Sequence, residues 1–210
     1  MKKLVMLTFI SLMAGGLLSS CSKTTKGKIS GDWNVDYYAV EYKSQDYLNE
    51  SSETEIEEWR GKNYTYKHID IDGTVHTLQG TVKDARLSIK KEGTWERILD
   101  YQVVDGNSIE TYYITQSGTW DFLSGKGTGD FKKNERIILN ITKIKEGSDE
   151  YEIPKGEISG TFIITESKKS LLKMEIEEGY RYLSKGNSGS GFTVNGQGKR
   201  VTNEYFELSK

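Results

Sequence analysis

Apolar and polar residues alternate with a period of two along most of this chain. Leu87/Ile89, Trp120/Phe122, Ile137/Leu139/Ile141 and Leu172/Met174/Ile176 each set apolar side chains on one face of an extended segment and polar ones on the other. Between such runs lie Asp72-Gly73, Glu92-Gly93, Asp105-Gly106 and Ser117-Gly118, pairs suited to the tight turns of hairpins. The intervals leave no room for crossover helices, so neighbouring strands are antiparallel. The pattern predicts strands near 32–42, 63–71, 74–82, 86–91, 94–104, 108–116, 119–123, 135–145, 157–166, 171–178, 179–184 and 199–208. Pro154, the sole proline, falls in a predicted loop over 146–156, and a longer Gly/Ser-rich loop is expected over 184–198.

Three places break the alternation. In the first strand Trp33, Val35 and Tyr37 share one parity while Tyr38, Val40 and Tyr42 take the other, which calls for a β-bulge near Tyr37-Tyr38. Ser52 with Glu55 fits a capping box, Ile56 and Trp59 are spaced i, i+3, and Gly61 suits a C′ position, so one short helix is expected near 53–60, a solvated acidic loop being the other reading. The two histidines flank Asp72-Gly73. A two-residue loop there sets Ile69 opposite His76 and His68 opposite Thr77, so the imidazoles point to opposite sides and hold no common metal; a three-residue loop would bring them together.

The amino terminus carries a different signal. Met1-Lys2-Lys3 is followed by an apolar stretch from Leu4 to Leu18, too short to span a bilayer but right for the core of a secretory signal. It ends in Leu18-Ser19-Ser20-Cys21, which resembles the lipobox of bacterial lipoproteins. The resemblance implies that residues 1–20 are a signal peptide and that the Cys21 thiol, the only one in the chain, receives a diacylglyceryl group. It also implies further acylation of the new amino terminus. Several chains hold a protein stably on a membrane where one would not. Residues 21–29 read as a flexible tether and 30–210 as one domain. Ser22, in place of Asp, together with the basic tether implies an outer-membrane anchor with the domain facing the periplasm.

Gly31-Asp32-Trp33 opens the domain, a long meander follows, and Tyr205-Phe206-Glu207-Leu208 closes it. This is similar to the lipocalin-like lipoproteins of Bacteroidota, in which the Gly-x-Trp tryptophan packs across the closed end of an up-and-down barrel. The fold class expected is all-β, an antiparallel up-and-down meander forming a lipocalin-like barrel or a large two-sheet sandwich. More strands are predicted than the ~8 of small barrels. Gly93-Thr94-Trp95, Gly118-Thr119-Trp120 and Gly160-Thr161-Phe162 repeat the pairing of a turn glycine with a strand-opening aromatic, at irregular intervals.

Charge and chemistry narrow the function. Removal of the signal takes the net charge from −2 to −4, unsuited to nucleic-acid backbones. The Gly-rich 125–129 segment is not a P-loop, no serine lies in a nucleophile elbow, and no catalytic motif or cofactor site is legible. The 13 tyrosines and 4 tryptophans are the feature with functional reach. The expectation is a non-catalytic domain binding a small hydrophobic or amphipathic ligand in a pocket lined by Trp33, Tyr37, Trp95, Tyr101 and Trp120. An envelope assembly or adaptor protein, meeting another protein through its outer surface, is the alternative.

Overall fold

The structure, a computed structural model, describes residues 26–46, 51–123, 133–178 and 198–210. Cys21, the signal segment, most of the tether, the 125–129 glycines, the predicted strand 179–184 and nearly all of the 184–198 loop lie outside the described residues. Among the described residues a helical turn, α1 (Lys26–Ile29), precedes eleven strands: β1 (Gly31–Asp46), β2 (Ser51–Arg60), β3 (Asn63–Ile69), β4 (Val75–Ile89), β5 (Thr94–Asp105), β6 (Ser108–Phe122), β7 (Arg136–Glu146), β8 (Asp149–Glu152), β9 (Ile158–Ser167), β10 (Leu171–Glu178) and β11 (Gly198–Ser209). All pairings are antiparallel, and β6 bonds to β7, so the meander closes into a barrel.

The barrel has two girths. Call the end holding α1, the start of β1 and the end of β11 the lower end. There β1 pairs directly with β4 through Gly31–Asn34 and Arg86–Ile89, and eight strands complete the ring. Higher up, β1 and β4 diverge and the β2–β3 hairpin fills the gap, giving ten strands among the described residues. The hairpin's turn sits in the fork: Gly61 N–H donates to Asp36 O and Val82 N–H donates to Lys62 O, both at 2.9 Å. Register shifts between Val35 and Tyr37 and between Val82 and Asp84 mark a bulge on each arm of the fork, where an extra residue bends a strand. The parity switch in β1 is therefore the fork itself.

Several elements differ from the sequence reading. Residues 53–60 belong to strand β2, not to a helix. β4 and β6 each run unbroken across what reads as two strands. Gly118 lies inside β6: a Cβ there would stand 1.8 Å from the Asn140 carbonyl oxygen, so glycine is required by close approach of β7 and not by a turn. The 146–156 segment holds the short strand β8, and Gly160 is likewise within β9. Asp72-Gly73, Glu92-Gly93 and Asp105-Gly106 do form turns.

The lower end is packed solid. Trp33, Ile89, Ile137, Phe162, Leu172, Met174 and Leu208 are within 1% of complete burial, and α1 lies against them through the buried Ile29. Trp33 Nε1–H donates to Ile29 O at 2.9 Å. Gly31, at φ +146°, leaves room for the Lys210 side chain, whose ammonium sits 4.3 Å from the Trp33 ring centre and bonds Ser30 O at 3.2 Å. Lys26 spans to Asp121 at 3.0 Å. The first turn of the domain is thus tied to both β6 and the end of β11.

Candidate functional site

The inward residues follow from the registers. Tyr38, Phe206 and Trp59 are directly paired, as are Val40, Glu204 and Glu57 one step higher, then Tyr42, Thr202 and Glu55. Since Trp59 and Tyr38 are buried in the core, Glu57 and Glu55 share their face and point into the barrel. On β3 and β4 the same face carries Tyr64, Tyr66 and His68, and Leu78 and His76. The lumen therefore changes from a packed base of aliphatic side chains and tryptophans, through a tyrosine-rich aromatic layer, to carboxylates and imidazoles at the upper end.

The aromatic layer is continuous. Ring centres of Tyr38 and Trp59 are 4.9 Å apart, Trp59 and Tyr101 5.5 Å, Tyr64 and Tyr101 4.7 Å, and Tyr101 and Tyr112 5.1 Å. Burial pushes the Tyr64 and Tyr101 hydroxyls well above the ordinary tyrosine range, so both stay neutral donors. At the edge of this layer lies an ionic group. Glu204, 5% exposed, accepts from the Tyr38 hydroxyl at 3.1 Å and from Arg97 at 3.3 Å, while Arg97 also donates to Gln116 Oε1 at 2.6 Å. Burial raises the Glu204 carboxyl, and Arg97 and Tyr38 pull it back. Glu57 is raised too, first by burial and then by the neighbouring Glu55 and Glu204 charges, against the attraction of Arg97.

The five residues expected to line one pocket do not come together. Trp33, Trp95 and Trp120 are core residues, each with its indole N–H bonded to a backbone carbonyl: Ile29 O, Asn140 O at 3.1 Å and Lys90 O at 2.7 Å respectively. Tyr37 faces outward because of the bulge at Asp36, lies under the Arg60 guanidinium and packs at a tilt against Tyr205 on the outer wall. Tyr101 alone belongs to the layer facing the upper lumen. The sequence reading missed Trp59, Glu57, Arg97 and Glu204. Trp59 differs from the other three tryptophans in one respect: it is 3% exposed, yet its indole nitrogen has no hydrogen-bond partner.

The histidines also differ from expectation. Asp70 N–H bonds Thr74 O, which makes a three-residue loop of Ile71–Gly73, so His68 and His76 are direct partners on one face. Asp70 lies between them, 2.8 Å from His68 Nε2 and 2.9 Å from His76 Nε2. Both imidazoles are thereby engaged with one carboxylate, and no group of three or more His, Cys, Asp or Glu side chains among the described residues is arranged to hold a metal ion. On the outer wall an open depression of about 320 Å³ lies where β10 parts from β11 beyond the Glu175–Tyr205 pair, lined by Ala39, Glu41, Ile56 and Tyr205 and touching Glu204.

Fold and interior together define a closed antiparallel β barrel with a sealed lower end and an aromatic and acidic upper lumen. No family model matches this chain, and no curated protein or solved structure gives a significant match.

Proposed function

We propose that this chain is a membrane-anchored envelope lipoprotein, acylated at Cys21, whose lipocalin-like barrel binds a small hydrophobic or amphipathic ligand without catalysing a reaction. The anchor rests on Leu18-Ser19-Ser20-Cys21 and on the apolar stretch before it. The outer membrane, with the barrel facing the periplasm, is the placement that the residues after Cys21 favour.

One observation carries the ligand reading: the two ends of the lumen are built differently. The lower end has the tight packing of a protein core. In the upper half, Tyr66, Leu78, Ile144, Ile158 and Ile176 are only half-buried, and Glu110, Tyr112 and His76 on the same inward face are exposed. Apolar side chains left partly accessible inside a barrel form the kind of concave, mixed surface that small ligands occupy. Lipids and small molecules retained by the protein after purification from its own host, detected by native mass spectrometry, test this reading. Recovery of a bound amphiphile supports it, and a lumen that exchanges nothing but water refutes it. Incorporation of labelled palmitate into the wild-type chain but not into Cys21→Ala tests the anchor.

The adaptor reading has its own support. Val104 and Ile109 face each other on the outer wall, 49% and 67% exposed, and Ile71 and Val75 are exposed at the same end. Such apolar surface at a barrel rim is the material of a protein contact. Cross-linking in the host envelope distinguishes the two: Ile109→Lys would abolish a rim-mediated partner and leave ligand retention intact.

A further inference from the structure

The ligand's polar end can be specified, on the premise that the barrel binds a ligand at all. Two adjacent groups in the upper lumen are unmet. The Trp59 indole N–H is buried with no acceptor, whereas the three other tryptophans in the chain each have one. A buried donor left unpaired keeps the cost of its lost hydration, so the exception calls for an acceptor supplied from elsewhere. Two residues further up the same face of β2, about 7 Å along the strand, stands Glu57. No hydrogen bond or ion pair joins Glu57 to any described residue, and the cation nearest to it in effect, Arg97, is bonded to Glu204 and Gln116. Trp59 and Glu57 thus set an unpartnered donor beside an unpartnered carboxyl, walled by the rings of Tyr64 and Tyr101.

We propose that the upper lumen takes a single-chain amphiphile whose head carries an ammonium group beside a hydroxyl or carbonyl oxygen, the ammonium at Glu57 and the oxygen at the Trp59 indole N–H. A carboxylate head is disfavoured, because it would meet Glu55 and Glu57 with Arg97 already neutralised. Aromatic faces add attraction for a cation in a desolvated setting. The apolar tail lies against the half-buried Leu78, Ile144 and Ile158.

Isothermal titration of the intact protein with matched twelve-carbon probes, below their micelle concentrations, tests the assignment: 2-aminododecan-1-ol, dodecan-1-ol and dodecanoate. The amino alcohol should bind at least tenfold tighter than the other two. Glu57→Gln should erase that preference and leave the alcohol's affinity within twofold, and Trp59→Phe should weaken the amino alcohol and the alcohol alike. Glu58→Gln, on the outward face of the same strand, should change nothing. Circular dichroism of each variant confirms that the barrel has formed. Dodecanoate binding as tightly as the amino alcohol, or a Glu57→Gln protein that keeps the cation preference, overturns the head-group assignment and leaves the ligand-binding reading standing. Failure of all three probes to bind overturns both.

Discussion

The two ends of the barrel use the same residue types for opposite purposes. At the lower end every large ring is locked: Trp33, Trp95 and Trp120 fill the core and each spends its one polar atom on a backbone carbonyl. At the upper end Trp59 is equally buried but unpaired, and the residue beside it on the lumen face is a carboxylate. A core gains stability by satisfying every buried polar atom. A binding surface keeps some atoms unsatisfied until a partner arrives. On the proposed reading, the contrast between Trp33 and Trp59 is the contrast between those two demands.

The ionic group between the halves is where a single substitution should cost the most. Replacing Arg97 by Met leaves Glu204 charged and buried, and should cost about 3–5 kcal/mol, read by urea denaturation at neutral pH. Arg97→Met/Glu204→Leu should recover most of that loss, because the uncompensated charge is gone. A double variant no better than the single one would show that packing, and not charge, dominates there. Next in size, Trp→Phe at positions 33, 95 and 120 removes an indole hydrogen bond to a backbone carbonyl each time, at about 0.5–1.5 kcal/mol beyond the packing change. Trp59→Phe orphans nothing and should lose distinctly less. Equal losses at all four positions would erase the distinction between the two ends.

A smaller effect of opposite sign is expected at Glu57. Its carboxyl is raised above the ordinary glutamate value, so between that value and the raised one the folded barrel holds more protons than the unfolded chain. Stability then falls as pH rises through this window. Glu57→Gln should flatten that part of the stability–pH curve and leave the free protein more stable than the wild type above the window, measured by thermal melts from pH 4 to 8. Smallest of all, Tyr112→Ala at the exposed end of the aromatic layer should stay within about 0.5 kcal/mol, against several for any large ring of the lower core.

The lower half was legible in the sequence because it obeys the rule that apolar faces turn inward. Ile137/Leu139/Ile141 and Leu172/Met174/Ile176 alternate as a buried strand must, and Gly31-Asp32-Trp33 marks where the meander begins. The upper half breaks the rule. In β2 the inward set is Glu53, Glu55, Glu57 and Trp59, so acidic side chains occupy the positions that a pattern search assigns to solvent, and the segment reads as helix or loop. Trp59 went with it. Departures from local consistency tend to mark functional ground, and here the misread strand is the one that carries Trp59 and Glu57, the centre of the proposed site. The histidine register turned on a single residue of loop length, since one step in a hairpin reverses every side chain. Gly118 looked like a turn because nothing local distinguishes a glycine that bends a chain from one that admits a neighbouring carbonyl.

The fork between β1 and β4 has a consequence for how such a barrel can be altered. Circumference grows with strand number, and here two strands are added above a base that already closes without them. The hairpin is in effect a graft, its turn seated by two backbone hydrogen bonds at Asp36 and Lys62 and its strands laddered to β1 and β4. Trimming or extending it would resize the mouth while the plugged foundation, with its lysine-pinned lid, stays as it is. Aperture and rigidity are separate dials in this architecture, and evolution or a designer can turn one without disturbing the other.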